Sequence, residues 1–290
     1  MSANLVLFTS ALSAAGMGFE PVAASEAVLS RPHDLVLAPD GRFLYVADLG
    51  HHVVHVLDPD SLKVIGAIGA SELSAPHDVA FDPQGRLYVA DTGNDRVAIY
   101  EVDGAAGRLV SQLDENIERT EGVAPVAGGR IYVTSVARNE VSYFESGRKV
   151  KAVGGSGRGP NQYSRPHDID VLPDGRVVVA DPGNNRLQIL SAELEYLTSV
   201  GGPAPHDFNE PKYFGIDEKG RIYVGDQFNH RVLVFDLDWK LLGRMGTGES
   251  GDRLDQFNGL EGVVVRGRDV WISDTYNHRV VRYRRTDGGS

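Results

Sequence analysis

Arg31-Pro-His-Asp-Leu-Val-Leu-Ala-Pro-Asp-Gly41 returns as Ala75-Pro-His-Asp-Val-Ala-Phe-Asp-Pro-Gln-Gly85, and again as Arg165-Pro-His-Asp-Ile-Asp-Val-Leu-Pro-Asp-Gly175. Weaker copies begin at Thr120-Glu-Gly122, Pro211-Lys-Tyr213 and Leu260-Glu-Gly262. A second motif follows each copy: Tyr45-Val-Ala-Asp48, Tyr88-Val-Ala-Asp91, Tyr132-Val-Thr-Ser135, Val178-Val-Ala-Asp181, Tyr223-Val-Gly-Asp226 and Trp271-Ile-Ser-Asp274. A third closes four of the units: Gly93-Asn-Asp-Arg-Val97, Gly183-Asn-Asn-Arg-Leu187, Phe228-Asn-His-Arg-Val232 and Tyr276-Asn-His-Arg-Val280. Self-similarity at a fixed period is the signature of a repeat architecture.

Aligned at the position of His33, the copies place His33, His77, Glu121, His167, Lys212 and Glu261 in register, 44 to 49 residues apart. Six units, starting near residues 31, 75, 119, 165, 210 and 259, fill the 290-residue chain and leave no room for a second domain. Each unit reads as four short strands. In the first, these are Leu35–Ala38, Phe43–Asp48, Val53–Asp58 and Lys63–Ile68, separated by Pro39-Asp-Gly41, Leu49-Gly50 and Asp58-Pro-Asp60. Four-stranded units repeating at this length predict an all-β, six-bladed β-propeller spanning residues 1–290.

Composition agrees. The chain has 34 glycines and 14 prolines, a load of turn formers that favours an all-β fold. It has no cysteine, which removes disulfides, thiolate metal sites and a Cys nucleophile. A net charge of −11 argues against nucleic acid as a partner, and no apolar run approaches the roughly 18–20 residues of a membrane span. The expected partner is a small-molecule substrate. Nothing in the sequence sets an oligomeric state.

The units resemble NHL repeats, whose Asn-His stretch is matched by Asn229-His-Arg-Val232 and Asn277-His-Arg-Val280. The inter-repeat loop of that family is matched by Gly154-Gly-Ser-Gly-Arg-Gly-Pro-Asn-Gln-Tyr163. The resemblance covers about residues 31–285. The first repeat departs from it at His51-His-Val-Val54, and the third at Arg138-Asn-Glu-Val141. The sixth unit ends after its third strand, so a strand from the N-terminus is expected to close it, with Leu5–Thr9 as the donor. The rival reading makes residues 1–24 a signal peptide cleaved near Ala23-Ala24, which would place the protein outside the cytoplasm. No Lys or Arg precedes the apolar patch, so the closing strand and a cytoplasmic location are preferred.

The innermost strand of every propeller blade lines the axis. The residue at its start therefore comes from each blade to one ring at one mouth. Three imidazoles and a carboxylate on that ring (His33, His77, His167 and Glu121) are a ligand set for Zn, Fe or Mn with an open position for substrate. The competing reading is a wet channel mouth populated by diverged copies of one duplicated blade. The ring also resembles that of the peptidylglycine α-amidating lyases, six-bladed propellers holding Zn through three axial His. Pro32-His33-Asp34, Pro76-His77-Asp78 and Pro166-His167-Asp168 match their Pro-His motif. In that family the His come from alternate blades. Here they come from blades one, two and four.

The resemblance implies metal binding more directly than a substrate or a reaction. Zn is the first expectation, Fe or Mn the alternative if Glu121 is a fourth ligand, and axial Ca a further candidate. Glu261 is the candidate general base. Lys212 either pairs with Glu261 or holds a substrate carboxylate. Tyr213 and Tyr163 are candidate proton donors, and Arg165 a candidate anion contact. Asp34, Asp78 and Asp168 read as Asx turns or as groups orienting the imidazoles. The recurring Asp48, Asp91, Asp181, Asp226 and Asp274, with Arg96, Arg186, Arg231 and Arg279, read as structural ion pairs. Three functions follow: a metal-dependent lyase or hydrolase for a small polar or anionic substrate, an Fe-dependent oxygenase on the same residues, or a non-catalytic propeller that binds a protein or peptide.

Overall fold

In the computed structural model, which describes residues 16–201 and 206–286, six antiparallel sheets of four strands follow one another along the chain. Blade one runs Pro32–Leu37, Leu44–Asp48, Val53–Leu57 and Val64–Ile68 from the axis outward. Blades two to five repeat this order from inner strands at Pro76–Phe81, Thr120–Pro125, Ile169–Val171 and Pro211–Ile216. Blade six is Val263–Arg266, Asp269–Asp274 and Arg279–Thr286, with Gly18–Ala24 as its outermost strand.

The closing strand is thus N-terminal and is formed by Gly18–Ala24; the expected donor, Leu5–Thr9, lies outside the described residues. Pro21 and Gly18 disguise it in the sequence. An outermost strand tolerates Pro because one of its edges donates to no neighbour, and the register with Arg279–Thr286 slips between Pro21 and Ala23. A cleavage after Ala24 would remove this strand from blade six.

The second strand of each blade is buried on both faces, as Leu44–Asp48, Val177–Asp181 and Ile222–Asp226 show along their whole lengths. Each blade packs on its neighbours, so the core is six apolar seams rather than one centre. Val54, Val56 and Tyr45 of blade one meet Val89, Ala98 and Tyr100 of blade two in one seam. Leu44, Val46 and Leu57 of blade one meet Trp271 and Val280 of blade six in the seam that closes the circle. The Pro-Xaa-Gly turn between the first two strands needs a left-handed residue, supplied by Gly41 at φ +71° and Gly85 at φ +82°.

The residue before each motif Arg is also left-handed: Asp95, Asn185, His230 and His278 have φ between 49° and 58°. In Asp95, Asn185 and His278 the side chain reaches the entrance of the next blade, whereas His230 Nδ1 is buried without a hydrogen bond. Asp95 Oδ1 accepts the Arg119 N–H at 2.7 Å, Asn185 Oδ1 the Glu210 N–H at 3.0 Å, and His278 Nδ1 the Arg31 N–H at 3.1 Å. Asn, Asp and His suit this position because each tolerates the left-handed conformation and carries an acceptor. The donating entrances, Arg31, Ala75, Arg119, Arg165 and Glu210, are themselves left-handed at φ 48–60°. This latch sets the direction of the ring residue two positions later.

Candidate functional site

At the ring the inner strands lose their regular pairing. The register with the second strand slips between Pro32 and Leu35, Pro76 and Val79, Thr120 and Val123, and Pro211 and Phe214. Such an irregularity re-aims side chains, and here the slipped residues are those of the ring and the layer below it. The structure brings His33, His77, Glu121, His167, Lys212 and Glu261 together, and all six side chains are largely buried.

Glu121 lies between His167, with Nε2 2.8 Å from its Oε2, and His77, with Nε2 3.8 Å from its Oε1. Glu261 lies between His33, with Nε2 3.2 Å from its Oε2, and Lys212, with Nζ 3.1 Å from its Oε1. The ring therefore has an approximate dyad. Blades one to three present His, His, Glu, and blades four to six present His, Lys, Glu, so Lys212 stands where the dyad would repeat His77. The backbone shares this pattern. Gly122 and Gly262 follow the two glutamates, and a Cβ on either would meet the backbone of the following His-Asp pair at 2.3–2.7 Å. Thr134 and Ser273, in the same two blades, donate hydroxyls to the carbonyls of His167 and His33.

Each ring imidazole is anchored in the same way. Nδ1 of His33, His77 and His167 lies 3.0, 2.9 and 2.7 Å from the carbonyl of Arg31, Ala75 and Arg165. A carbonyl only accepts, so each Nδ1 carries the proton and each Nε2 is turned toward a carboxylate. Burial pushes the His77 pKa down to about 4 against the opposing pull of Glu121, so this imidazole is neutral at pH 7. Burial opposes ionisation of Glu121, yet His167, by charge and hydrogen bond, and Lys212 hold its carboxyl below the ordinary range. Glu261 is likewise held low, against burial, by His33 and Lys212. Burial weakens the Lys212 ammonium, but Glu261 more than restores it.

As donors these residues suit a divalent transition metal: anchored imidazoles with Nε2 presented, and ionised carboxylates. Two acceptors 2.8 Å apart, His167 Nε2 and Glu121 Oε2, require a proton or a cation between them. The described ring is nevertheless wider than one coordination sphere, since no trio of its ligand atoms lies wholly within 4.8 Å.

Below the ring, Asp34, Asp78 and Asp168 follow the three His and line a cavity of about 240 Å³ together with Asp170. They do not orient the imidazoles. Asp78 Oδ2 accepts the Val123 N–H at 2.6 Å, and Asp168 Oδ2 the Phe214 N–H at 2.8 Å, each in the next blade. Burial raises Asp34 and Asp168 well above the ordinary carboxyl range, mutual repulsion adding to it, and brings Asp78 and Asp170 to about 6. The recurring Asp at the end of the second strand is structural in blades two, four, five and six. Asp181, for example, accepts from the Ser164 N–H, Asn184 Nδ2 and Arg186 Nε at 2.7–2.8 Å.

Tyr213 lies fully buried under the ring, its hydroxyl 3.5 Å from the Glu121 carbonyl across the axis. Burial and the surrounding carboxylates raise its pKa far above the ordinary phenol, so it carries its proton at all working pH. Tyr163 is not brought to the ring. It packs in the seam between blades three and four with Tyr143, Val177 and Leu190, because its loop folds the ring of the phenol inward. Arg165 sits at the mouth, half-exposed, and pairs with Glu210 at 2.8 Å. Sequence reasoning missed Gln227, which is buried and donates from Nε2 to Glu261 Oε1 at 2.6 Å. Its signal was positional: the residue after the recurring Asp is Leu, Thr, Pro or Thr in blades one, two, four and six.

Fold and ring together define a six-bladed propeller with a buried, fully ionisable axial ring. The chain belongs to the family described as lactonase, 7-bladed beta-propeller, which matches residues 59–241. This chain closes its circle with six blades, and its sixth carries a match to the NHL repeat over residues 257–283. Over 173 residues, 56% of the chain, it is 26% identical to a probable peptidyl-alpha-hydroxyglycine alpha-amidating lyase of Caenorhabditis elegans. The chain matches 37% of that relative's length. Among solved structures, a protein of unknown function from Bacteroides thetaiotaomicron superposes with TM-score 0.74 at 15% identity, over 93% of this chain and 72% of the other. Virginiamycin B lyase of Staphylococcus aureus superposes with TM-score 0.62 at 10% identity, over 88% and 80%. At such identities these structures speak to the fold.

Proposed function

We propose that this propeller is a metal-dependent lyase acting on a small polar or anionic substrate at the axial mouth. The observation that carries the reading is the common anchoring of three imidazoles by Nδ1–H to backbone, with every Nε2 turned to a carboxylate on the axis. Similarity to a lyase that acts on peptidyl α-hydroxyglycine supports it.

For His33, His77 and His167 to hold the ion, with Glu121 as a fourth ligand or as the partner that orients His167, their Nε2 atoms would have to close toward the axis from the wider spacing of the described ring. Zn is the first choice for this set, and Fe or Mn follows if Glu121 binds. The carboxylates below the ring would suit Ca. A bound transition metal supplies Lewis-acid polarisation of a substrate oxygen.

The chain's own residues do the rest. Glu261 is ionised at neutral pH and is the general base. Lys212 holds it weak in the resting ring. A substrate carboxylate that draws the Lys212 ammonium away leaves Glu261 with Gln227 and His33, and its basicity rises. Tyr213, which keeps its proton, is the donor available below the ring.

The relative's name supplies the first compound to try, an N-acyl α-hydroxyglycine. It carries the required carboxylate, and its cleavage to amide and glyoxylate moves a proton from the hydroxyl to the departing nitrogen. The test is metal content by mass spectrometry together with glyoxylate release. The expected result is one axial metal that His77→Ala removes without unfolding, and turnover lost with it. Protein supplied with metal that takes up none on the axis overturns the reading. A hydrolase or an oxygenase would show the metal without glyoxylate release from this compound, and a binding propeller would show neither.

A further inference from the structure

The recurring buried Asp meets the same two donors in four blades. Asp91 accepts from Asn94 Nδ2 at 2.8 Å and Arg96 Nε at 2.7 Å, and Asp181, Asp226 and Asp274 do the same with their own Asn and Arg at 2.8–2.9 Å. Blade one breaks this pattern at three positions at once. His51 stands in place of the Asn, Val53 in place of the Arg, and His55 where blades two, five and six have Ala98, Leu233 and Val281 and blade four has Gln188, whose Nε2 lies 3.5 Å from Asp181 Oδ2. Asp48 is nevertheless as buried as its counterparts, with no exposed surface. A carboxylate buried this completely needs a replacement for the lost guanidinium.

Two imidazoles have moved in. His51 Nδ1 is 2.9 Å from Asp48 Oδ2, and His55 Nε2 is 3.4 Å from the same oxygen. Neither ring nitrogen of His55 makes a hydrogen bond of ordinary geometry, although both are shielded from water. The ligand atoms of Asp48, His51 and His55 all lie within 4.8 Å of one another, and no other His, Asp or Glu trio among the described residues does so. Tetrahedral Zn with bonds of 2.0–2.2 Å sets its ligand atoms roughly 3.3 Å apart, close to the 2.9 and 3.4 Å that separate the two imidazole nitrogens from Asp48 Oδ2.

We propose that Asp48, His51 and His55 bind a divalent transition-metal ion of the Zn, Ni or Cu type at the edge of blade one, independently of the axial ring. The carboxylate is pre-oriented for this. Its Oδ2 accepts the Ser30 N–H at 2.9 Å and its Oδ1 the His51 N–H at 3.1 Å, the outer contacts that fix a ligand's direction. His51 is half-exposed and gives the ion a route in, with the remaining position left to water. The ion would replace the Arg cross-link of the other blades. Because Asp48 pairs with Pro32 in the sheet, it would also brace the strand that carries His33.

The test titrates Co(II) and Zn(II) into four proteins freed of metal: wild type, His51→Asn/Val53→Arg/His55→Ala, His77→Ala/His167→Ala, and the combination. The triple variant rebuilds the Asn–Arg pattern of blade two, so it keeps a partner for Asp48 and folds. Expected is a tetrahedral Co(II) absorption band in wild type and in the axial variant. The triple variant should lose that site, with affinity there down at least about tenfold. If the triple variant retains the same number of ions and the same affinity as wild type, the site does not exist and His51 serves only as a hydrogen-bonding stand-in for the Asn and Arg of the other blades. Should the axial reading fail instead, wild type and the axial variant bind one ion alike and the triple variant none.

Discussion

Replacing Lys212 with Met probes the balance that holds the ring. Lys212 and Glu261 form an ion pair at 3.1 Å whose side chains are 13% and 2% exposed. Removing one partner of such a pair leaves a buried charge, a loss of roughly 3–5 kcal/mol. Glu261 keeps the Gln227 hydrogen bond at 2.6 Å and the His33 contact at 3.2 Å, so the lower end, about 3 kcal/mol, is expected at pH 7. Glu261→Gln should cost a comparable amount by orphaning the ammonium. The double variant should recover roughly 1–3 kcal/mol relative to the sum, the coupling typical of residues in contact.

The pH dependence has a definite sign. The folded-state pKa of Glu261 lies below its unfolded value. Its stabilising contribution is therefore complete above the ordinary Glu range and is lost as pH falls through the folded value. The gap between wild type and Lys212→Met should accordingly be full at pH 7 and narrow toward pH 4 and below. Urea unfolding of chelator-treated proteins at the two pH values measures it. A gap under about 0.5 kcal/mol at pH 7, or one equal at both pH values, would refute the reasoning.

Glu261→Gln should abolish turnover while axial metal content stays at the wild-type level; retained activity would move the base to another group. His77 is held neutral, with a folded pKa of about 4 against 6.5 for an ordinary imidazole, so it contributes stability above pH 6.5 that is lost as pH falls toward 4, up to about 3 kcal/mol. His77→Gln should flatten that part of the thermal-unfolding profile between pH 4 and 6.5. Gly262→Ala would set a Cβ 2.7 Å from both the His33 carbonyl and the Asp34 Cα, so a loss of about 1–3 kcal/mol is expected. An unchanged melting temperature would show that blades one and six can move apart at no cost.

The number of blades, the strand order within them and the six ring residues were all legible in the sequence, because each follows from a repeat. A repeated unit puts the same register position at the same place in every blade. His33, Glu121 and Lys212 could therefore be placed on one ring although 88 and 91 residues separate them in sequence. The closing strand was legible as a need but not as a location, since a lone edge strand repeats nothing and can carry Gly18 and Pro21.

The sequence by itself determined which side chains reach the axis and that the recurring Asp and Arg serve the blades. Only the tertiary structure decided how the ring partitions: Glu121 between His77 and His167, Glu261 between His33 and Lys212. It also decided that Gln227 enters the ring, that Tyr163 leaves for a seam, and that His51 and His55 close on Asp48. The physical reason is one of length scale. Backbone repetition fixes where a Cα lies. Which neighbour a buried charge then selects depends on distances of 3–4 Å across different blades, and no local pattern in the chain encodes those.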